Sequence, residues 1–261
     1  MSMHVVKKRG EGPPCFLLHG GPGFDSSYFD PFLQPLEKSL RLFFLEHDRD
    51  APEYTLENIV NGIEKLRRES GHEKILLLGH SAGGLFSLSY AIHFPHNVMG
   101  LILESTAADK SFVKESEQAI KAYPDALAGL QEYIASDRTD EDYKKMSLRY
   151  IPFSVMPEAQ KSALVVFDNI HYNARLFEET KKKILPYFSA REHLPKLTMP
   201  TLVITGKHDR VVAPSYSQEL AEKMPNAEFV MLENSGHFPH LEEPKKFCEV
   251  VEDWMNRYWP S

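Results

Sequence analysis

The chain has 261 residues, of which 42% are hydrophobic, so it can bury one large core. Its formal net charge of -7 argues against nucleic acid or an anionic membrane surface as a partner, because both need concentrated Lys and Arg. No apolar run approaches membrane-spanning length, and the basic run from Lys181 to Lys183 is typical of a solvated helix face.

The cysteines and the N-terminal residues indicate the compartment. Cys15 falls in a predicted strand and Cys248 in a predicted helix, which suggests neither a disulfide framework nor a metal site. Lys7, Lys8 and Arg9 are followed by no apolar stretch, so no signal peptide is predicted. We therefore expect a cytoplasmic protein, either a monomer or a homodimer.

The N-terminal part of the chain alternates between strands and helices. Strands are predicted at 3–8, 14–19, 41–46, 74–78 and 98–103. A helix is predicted over 25–38, although Pro31 and Pro35 break its pattern, and a clearer one follows Thr55, which can cap it. This alternation predicts a mostly parallel sheet with helices on both faces.

From Ser105 to about Pro195 only helical patterns occur, and they are predicted to be interrupted at Pro124, Pro152, Pro157 and Pro186. Because insertions at the carboxyl ends of strands lie over the binding crevice, we predict a helical cap at 105–195 on a core domain formed by 1–104 and 196–261. The aromatic residues of this insert are expected mainly to fill its own core. Strands then return at 201–205 and 227–232, followed by a last helix that starts at Pro244.

A serine between glycines follows the fourth strand. The segment Gly79-His80-Ser81-Ala82-Gly83 fits G-x-S-x-G, in which small residues let the backbone make a strained turn. A bare match arises easily by chance, but here a strand precedes the turn and a helix follows it, as the turn requires. Ser81 is therefore a candidate nucleophile at a helix N-terminus.

Two further strand ends carry groups that activate a serine. Asp209 follows the strand at 201–205, and His237 follows the strand at 227–232. A serine hydroxyl needs an imidazole to take its proton, and the imidazole needs a carboxylate to fix its tautomer. Because the carboxyl ends of parallel strands share one edge of a sheet, we expect Ser81, Asp209 and His237 to meet there.

With these motifs the chain resembles an α/β-hydrolase from His19 to the last helix. The matching segments are His19-Gly-Gly-Pro-Gly23, the serine turn, the strand that leads to Asp209, and Ser235-Gly-His-Phe-Pro-His-Leu-Glu-Glu-Pro244. The resemblance implies Ser81 as nucleophile, His237 as general base and acid, and Asp209 as the orienting acid. It also implies a small-molecule substrate and neither a cofactor nor a metal.

The same resemblance places the oxyanion hole on the backbone N–H groups of Gly21 and Ala82. Glu104, at the end of the strand after the serine turn, is the alternative orienting acid. His240 is expected to be a rim or packing residue.

The His-Gly-Gly-Pro-Gly loop resembles that of proline iminopeptidases, in which a cap carboxylate beside an Asn-His-Tyr-Phe segment receives the substrate ammonium. The segment Phe167-Asp-Asn-Ile-His-Tyr172 is similar but carries an extra Ile170, so the resemblance makes Asp168 a candidate partner for that ammonium. Three departures favour esters instead: the Gly-His-Ser-Ala-Gly turn is the form common in esterases, the loop after the third strand is short, and the cap is small. We expect a carboxylic ester hydrolase acting on small or medium acyl substrates. The alternatives are an aminopeptidase of the proline iminopeptidase type, a lactonase, and a non-catalytic ligand receptor on the same fold.

Overall fold

A computed structural model describes residues 3–259. Within them, seven strands form one sheet in the order β1-β3-β2-β4-β5-β6-β7. β1 pairs antiparallel with β3, and the other neighbours pair in parallel. The strands are β1 (Met3–Arg9), β2 (Pro14–Leu18), β3 (Arg41–His47), β4 (Ile75–His80), β5 (Val98–Glu104), β6 (Thr201–Gly206) and β7 (Ala227–Leu232). The predicted mostly parallel sheet is confirmed.

The α-helices connect and cover these strands. They are α1 (Leu56–Glu69), α2 (Ala82–His93), α3 (Val113–Ala119), α4 (Pro124–Ala135), α5 (Asp140–Ser154), α6 (Gln160–Asn169), α7 (Ala174–Glu179), α8 (Pro214–Lys223), α9 (Pro239–Glu242) and α10 (Pro244–Tyr258). α1 begins where predicted, because the Thr55 side chain accepts the backbone N–H of Asn58. None of the helices within residues 3–259 has both the length and the apolar character needed to cross a bilayer.

The sheet is buried on both faces. Successive strand residues point to opposite faces, so Leu76 and Leu78 join an apolar cluster with Trp254 of α10. Leu77 joins the opposite cluster with Ile63 of α1. Every residue of β2, β4 and β6 is buried, as is usual for parallel strands between two layers of helices. Polar side chains at the carboxyl ends of these strands therefore lie at the crevice, where such folds bind ligands.

Two local predictions were wrong. Residues 25–38 form two short 3₁₀ helices, Ser26–Phe29 and Gln34–Lys38, rather than one α-helix. Pro31 and Pro35 account for the break, since proline lacks the N–H that an α-helix needs in its interior. Pro152 does not interrupt the pattern in the insert, because α5 continues to Ser154.

The segment between β5 and β6 contains α3 to α7, and its described residues add no strand to the sheet. An isolated antiparallel bridge joins Asp109 and Ser189, near the two ends of this segment. The division into a core domain and a cap at 105–195 remains a prediction.

Candidate active site

Ser81 lies in the tight turn between β4 and α2. Its backbone has φ 53 and ψ -116, a conformation in which side chains other than hydrogen are strained. Two bonds to the end of β5 hold the turn: the Ser81 N–H donates to the Glu104 carbonyl at 2.8 Å, and the Thr106 hydroxyl donates to the Ser81 carbonyl at 2.8 Å. This turn directs the serine side chain away from the end of the strand and toward a cavity.

The glycines around Ser81 are required by close backbone contact. A Cβ on Gly83 would stand 1.9 Å from the carbonyl oxygen of Leu18, and one on Gly79 would stand 2.4 Å from the carbonyl oxygen of Gly83. The first turn of α2 therefore rests directly on the end of β2. This contact brings the glycine loop that follows β2 beside the serine.

The structure brings the three predicted residues together. His237 Nε2 lies 3.1 Å from Ser81 Oγ, and His237 Nδ1 lies 2.8 Å from Asp209 Oδ2. The other carboxylate oxygen of Asp209 accepts the backbone N–H groups of Val211 and Val212 at 2.8 and 2.9 Å. The Asp209 carboxylate is thus fixed by its own loop, and the His237 ring is held between carboxylate and hydroxyl. This arrangement can pass a proton from Ser81 to His237.

The glycine loop borders the same cavity. Gly21 has φ 108 and lines the cavity together with Ala82, Ser81 and His237. The Tyr143 hydroxyl, on α5, lies 2.9 Å from the carbonyl oxygens of both Gly21 and Pro22. The loop is therefore tied to the insert as well as to the sheet.

The cavity beside Ser81 has a volume of about 260 Å³. Its walls are mostly apolar, and α3 to α7 supply many of the side chains. The helical pattern of the insert predicts that its aromatic residues mainly fill its own core, but several of them form this wall. The pattern does not show which face of a helix meets the rest of the chain. The lining aromatic residues are Phe24, Phe112, Tyr143, Tyr150, Phe167, Phe177 and Phe238.

Residues 13–244 match the alpha/beta hydrolase fold family. The chain belongs to this family. A proline iminopeptidase from Saccharolobus solfataricus is 25% identical over 275 residues, covering 98% of this chain and 88% of the relative.

Solved structures agree with the fold of this α/β-hydrolase. An alpha/beta fold family hydrolase from Bacillus anthracis superposes with a TM-score of 0.81 at 21% identity, covering 97% of this chain and 99% of the other. A thermophilic esterase from Thermogutta terrifontis superposes with a TM-score of 0.79 at 20% identity, covering 98% and 93%. The predicted α/β-hydrolase fold is thereby confirmed.

The structure does not bring Asp168 to the cavity of this hydrolase. Its side chain is 60% exposed and pairs with Lys144 at 2.8 Å. The neighbouring Phe167 is buried and lines the cavity. Because adjacent helical residues point about 100° apart, Asp168 on α6 is turned toward solvent.

Glu104, the alternative acid, pairs with His240 instead of His237. Glu104 Oε1 lies 2.8 Å from His240 Nδ1 and also accepts the His240 backbone N–H at 2.9 Å. Both side chains are fully buried, and neither lines the cavity. His240 is therefore a packing residue, in contact with the ring of Phe29 at a centroid distance of 4.9 Å.

The residues in 3–259 include no group of three or more His, Cys, Asp or Glu side chains arranged to hold a metal ion. The polar atoms of the cavity are instead mainly hydroxyls. One of them, Thr180 Oγ1, is buried and has no hydrogen-bond partner in the described part of the chain.

Proposed function

We propose that this α/β-hydrolase is a serine hydrolase that cleaves carboxylic esters of small or medium acyl substrates through an acyl-enzyme on Ser81. One observation carries the proposal: Ser81, His237 and Asp209 form a hydrogen-bonded row whose hydroxyl end opens into an apolar cavity. The row supplies a nucleophile, a base and an orienting carboxylate. The cavity supplies a site for the acyl chain.

In the first half-reaction Ser81 Oγ attacks the ester carbonyl while His237 Nε2 takes its proton. Asp209 holds Nδ1–H and stabilises the imidazolium. The carbonyl oxygen becomes an oxyanion, which the backbone N–H groups of Gly21 and Ala82 receive. Collapse of the tetrahedral intermediate breaks the C–O bond, and His237 returns its proton to the departing alcohol.

In the second half-reaction water takes the place of the alcohol. His237 removes a proton from the water as it attacks the acyl carbonyl, and the same two N–H groups receive the oxyanion. The bond to Ser81 Oγ then breaks, and His237 returns the proton to the serine. The products are a carboxylic acid and the free enzyme.

The cavity supports a modest acyl group. A volume of about 260 Å³ lies just below the range of roughly 300–1,000 Å³ that is common for ligand pockets. Leu85, Leu130 and Met146 add aliphatic surface to the aromatic wall. Such a surface favours an apolar chain, because removal of apolar area from water is the main contribution to its binding.

An aminopeptidase is the second candidate, since the Saccharolobus relative is named a proline iminopeptidase. An N-terminal ammonium taken into an apolar pocket needs a carboxylate partner. Among the described lining residues the one such group is Glu117, which is exposed. The chemistry of the cavity wall therefore favours a neutral ester over a charged amine.

The test compares a short-chain p-nitrophenyl ester, proline p-nitroanilide and a simple γ-lactone, with Ser81→Ala as the blank. Ester cleavage that disappears in the variant, with negligible anilide cleavage, is the expected result. Efficient anilide cleavage would replace the esterase proposal with the aminopeptidase one, because an anilide is harder to break than an activated ester. Faster cleavage of the lactone than of the ester would favour a lactonase.

A further inference from the structure

A row of hydrogen bonds runs through the buried layer beneath Ser81. The Gly20 N–H donates to the Tyr28 hydroxyl oxygen at 2.9 Å, and that oxygen lies 2.8 Å from His80 Nδ1. His80 Nε2 lies 2.8 Å from the carbonyl oxygen of His237. Tyr28 and His80 are fully buried, and neither has a role in the chemistry described above.

Each proton in this row has one allowed position. The carbonyl of His237 can only accept, so His80 Nε2 carries a proton. Burial holds the pKa of His80 well below its ordinary value, so the ring is neutral and Nδ1 accepts. The Tyr28 hydroxyl, whose pKa burial raises well above the ordinary value, must therefore donate to Nδ1. Its oxygen is left to accept the Gly20 N–H.

The row of hydrogen bonds connects the three segments that the proposed reaction uses, which carry an oxyanion donor, the nucleophile and the base. Gly20 precedes Gly21, one of the two predicted oxyanion donors, and His80 precedes Ser81. The far end of the row holds the backbone of the proposed base, His237. The glycine loop and the serine turn are in direct contact, because a Cβ on Gly20 would stand 2.7 Å from His80 Nδ1 and 3.0 Å from Ser81 Cβ.

We propose that Tyr28 and His80 are positioning residues. They hold the Gly21 N–H, the Ser81 hydroxyl and the His237 ring in the relative positions that the reaction needs. The inference rests on the proposed hydrolysis at Ser81. Loss of one member leaves the other groups intact but loosens their relative placement. A displacement of about 1 Å in a catalytic arrangement costs on the order of 100-fold in rate.

The test removes one oxygen and keeps the ring. Tyr28 stacks on Phe29 with a centroid distance of 4.4 Å, so Tyr28→Phe preserves this packing. The matched control is Tyr90→Phe: Tyr90 is also fully buried, and its hydroxyl donates to Glu64 at 2.7 Å, between α1 and α2. Each variant removes one buried phenol hydroxyl. Tyr28→Phe loses the two hydrogen bonds that this hydroxyl makes in the row, whereas Tyr90→Phe loses a bond to Glu64 outside the row.

For a short-chain p-nitrophenyl ester, Tyr28→Phe is expected to lower kcat about 10- to 100-fold with KM within about threefold of wild type. The rate of fluorophosphonate labelling should fall with kcat. Tyr90→Phe should keep kcat within about twofold while losing thermal stability to a similar extent. A kcat loss in Tyr28→Phe that exceeds the loss in the control by fivefold or more supports the inference, and any smaller difference overturns it.

If Tyr28→Phe does not fold, His80→Gln is measured against the same control and the same fivefold criterion. Glutamine keeps an N–H near the His237 carbonyl but lacks the rigid second ring nitrogen that accepts from Tyr28. Absence of both turnover and labelling in the wild type contradicts the proposed function, and this inference with it. An active wild type with an equally active Tyr28→Phe contradicts the inference alone.

Discussion

Two carboxylate–histidine pairs lie close together in this molecule. They differ in the group that lies next to the Nε2 atom of the histidine ring. Asp209 and His237 are 2.8 Å apart, and His237 Nε2 reaches Ser81 Oγ at 3.1 Å. Glu104 Oε1 and His240 Nδ1 are also 2.8 Å apart, but His240 Nε2 is buried and has no hydrogen-bond partner among residues 3–259. A carboxylate and an imidazole are therefore paired once at the cavity and once in the core.

The difference shows that a carboxylate beside an imidazole does not by itself make a catalytic site. The first pair stands at a strand end that opens on the cavity, and the loop N–H groups of Val211 and Val212 fix its carboxylate. The second pair is fully buried, with the ring of Phe29 beside His240. We interpret the first pair as chemical and the second as structural, and substitution of the carboxylate in each pair tests that contrast.

The largest effect is expected from Asp209→Asn. An asparagine at this position favours the wrong tautomer of His237, so kcat for the ester should fall by about 10⁴-fold. KM should change little, because the acyl cavity is untouched. Steady-state kinetics at neutral pH measure both constants. Retention of kcat within about tenfold of wild type would remove Asp209 from the proposed mechanism.

Glu104→Gln should act mainly on stability. Loss of one partner from a fully buried pair costs about 3 kcal/mol of unfolding free energy, whereas kcat should stay within about tenfold of wild type. Urea denaturation and the ester assay measure the two quantities on the same preparation. A kcat loss as large as that in Asp209→Asn, without loss of stability, would instead make Glu104 the orienting acid.

Two buried histidines belong to neither pair, and from them we expect the free energy of unfolding to fall in acid. Burial lowers the pKa of His80 and of His47 well below 6.5, and neither takes part in an ion pair among the described residues. Below about pH 6.5 the unfolded chain binds protons that the folded chain excludes, so stability should decline as pH falls.

Each such imidazole adds up to about 1.4 kcal/mol per pH unit to the slope of the unfolding free energy against pH. Urea denaturation between pH 5 and pH 7.5 measures this slope, and His47→Gln should reduce it by about one such contribution. An unchanged slope in His47→Gln would show that His47 is protonated in the folded chain.

The smallest effect is expected from Asp168→Asn, a carboxylate that belongs to neither pair. Its exposed contact with Lys144 should contribute at most about 0.5 kcal/mol, and kcat/KM for the ester should stay within about twofold of wild type. The informative measurement is KM for proline p-nitroanilide. A tenfold increase in that KM would return Asp168 to the role of amine partner.

The sequence alone predicted the features that follow from local chemistry. The strands carry buried apolar runs, and Ser81, Asp209 and His237 each follow one of them. Since parallel strands place their carboxyl ends on one edge, the meeting of these residues could be expected before any coordinates. The family resemblance then predicted the fold, which the structure confirms.

Features that depend on how helices pack could not be predicted. The period of α6 does not say which of Phe167 and Asp168 faces the cavity, and only the packed structure shows that it is the aromatic ring. Likewise, Tyr28 and His80 are 52 positions apart, and nothing in the local pattern of either indicates the bond between them. The proposed catalytic residues follow strand ends, which the sequence pattern reveals. The cavity shape and the row of hydrogen bonds beneath Ser81 arise from tertiary contacts, which it does not reveal.

The most direct test of the account is labelling of the folded protein with a fluorophosphonate, followed by peptide mapping of the modified residue. An activated serine is required for this reaction, so we expect one label per chain, on Ser81, and none in Ser81→Ala. An unlabelled wild type, under conditions in which a known serine hydrolase is labelled, would contradict catalysis and favour a ligand receptor on the same fold. A label on any other serine would contradict the assignment of Ser81.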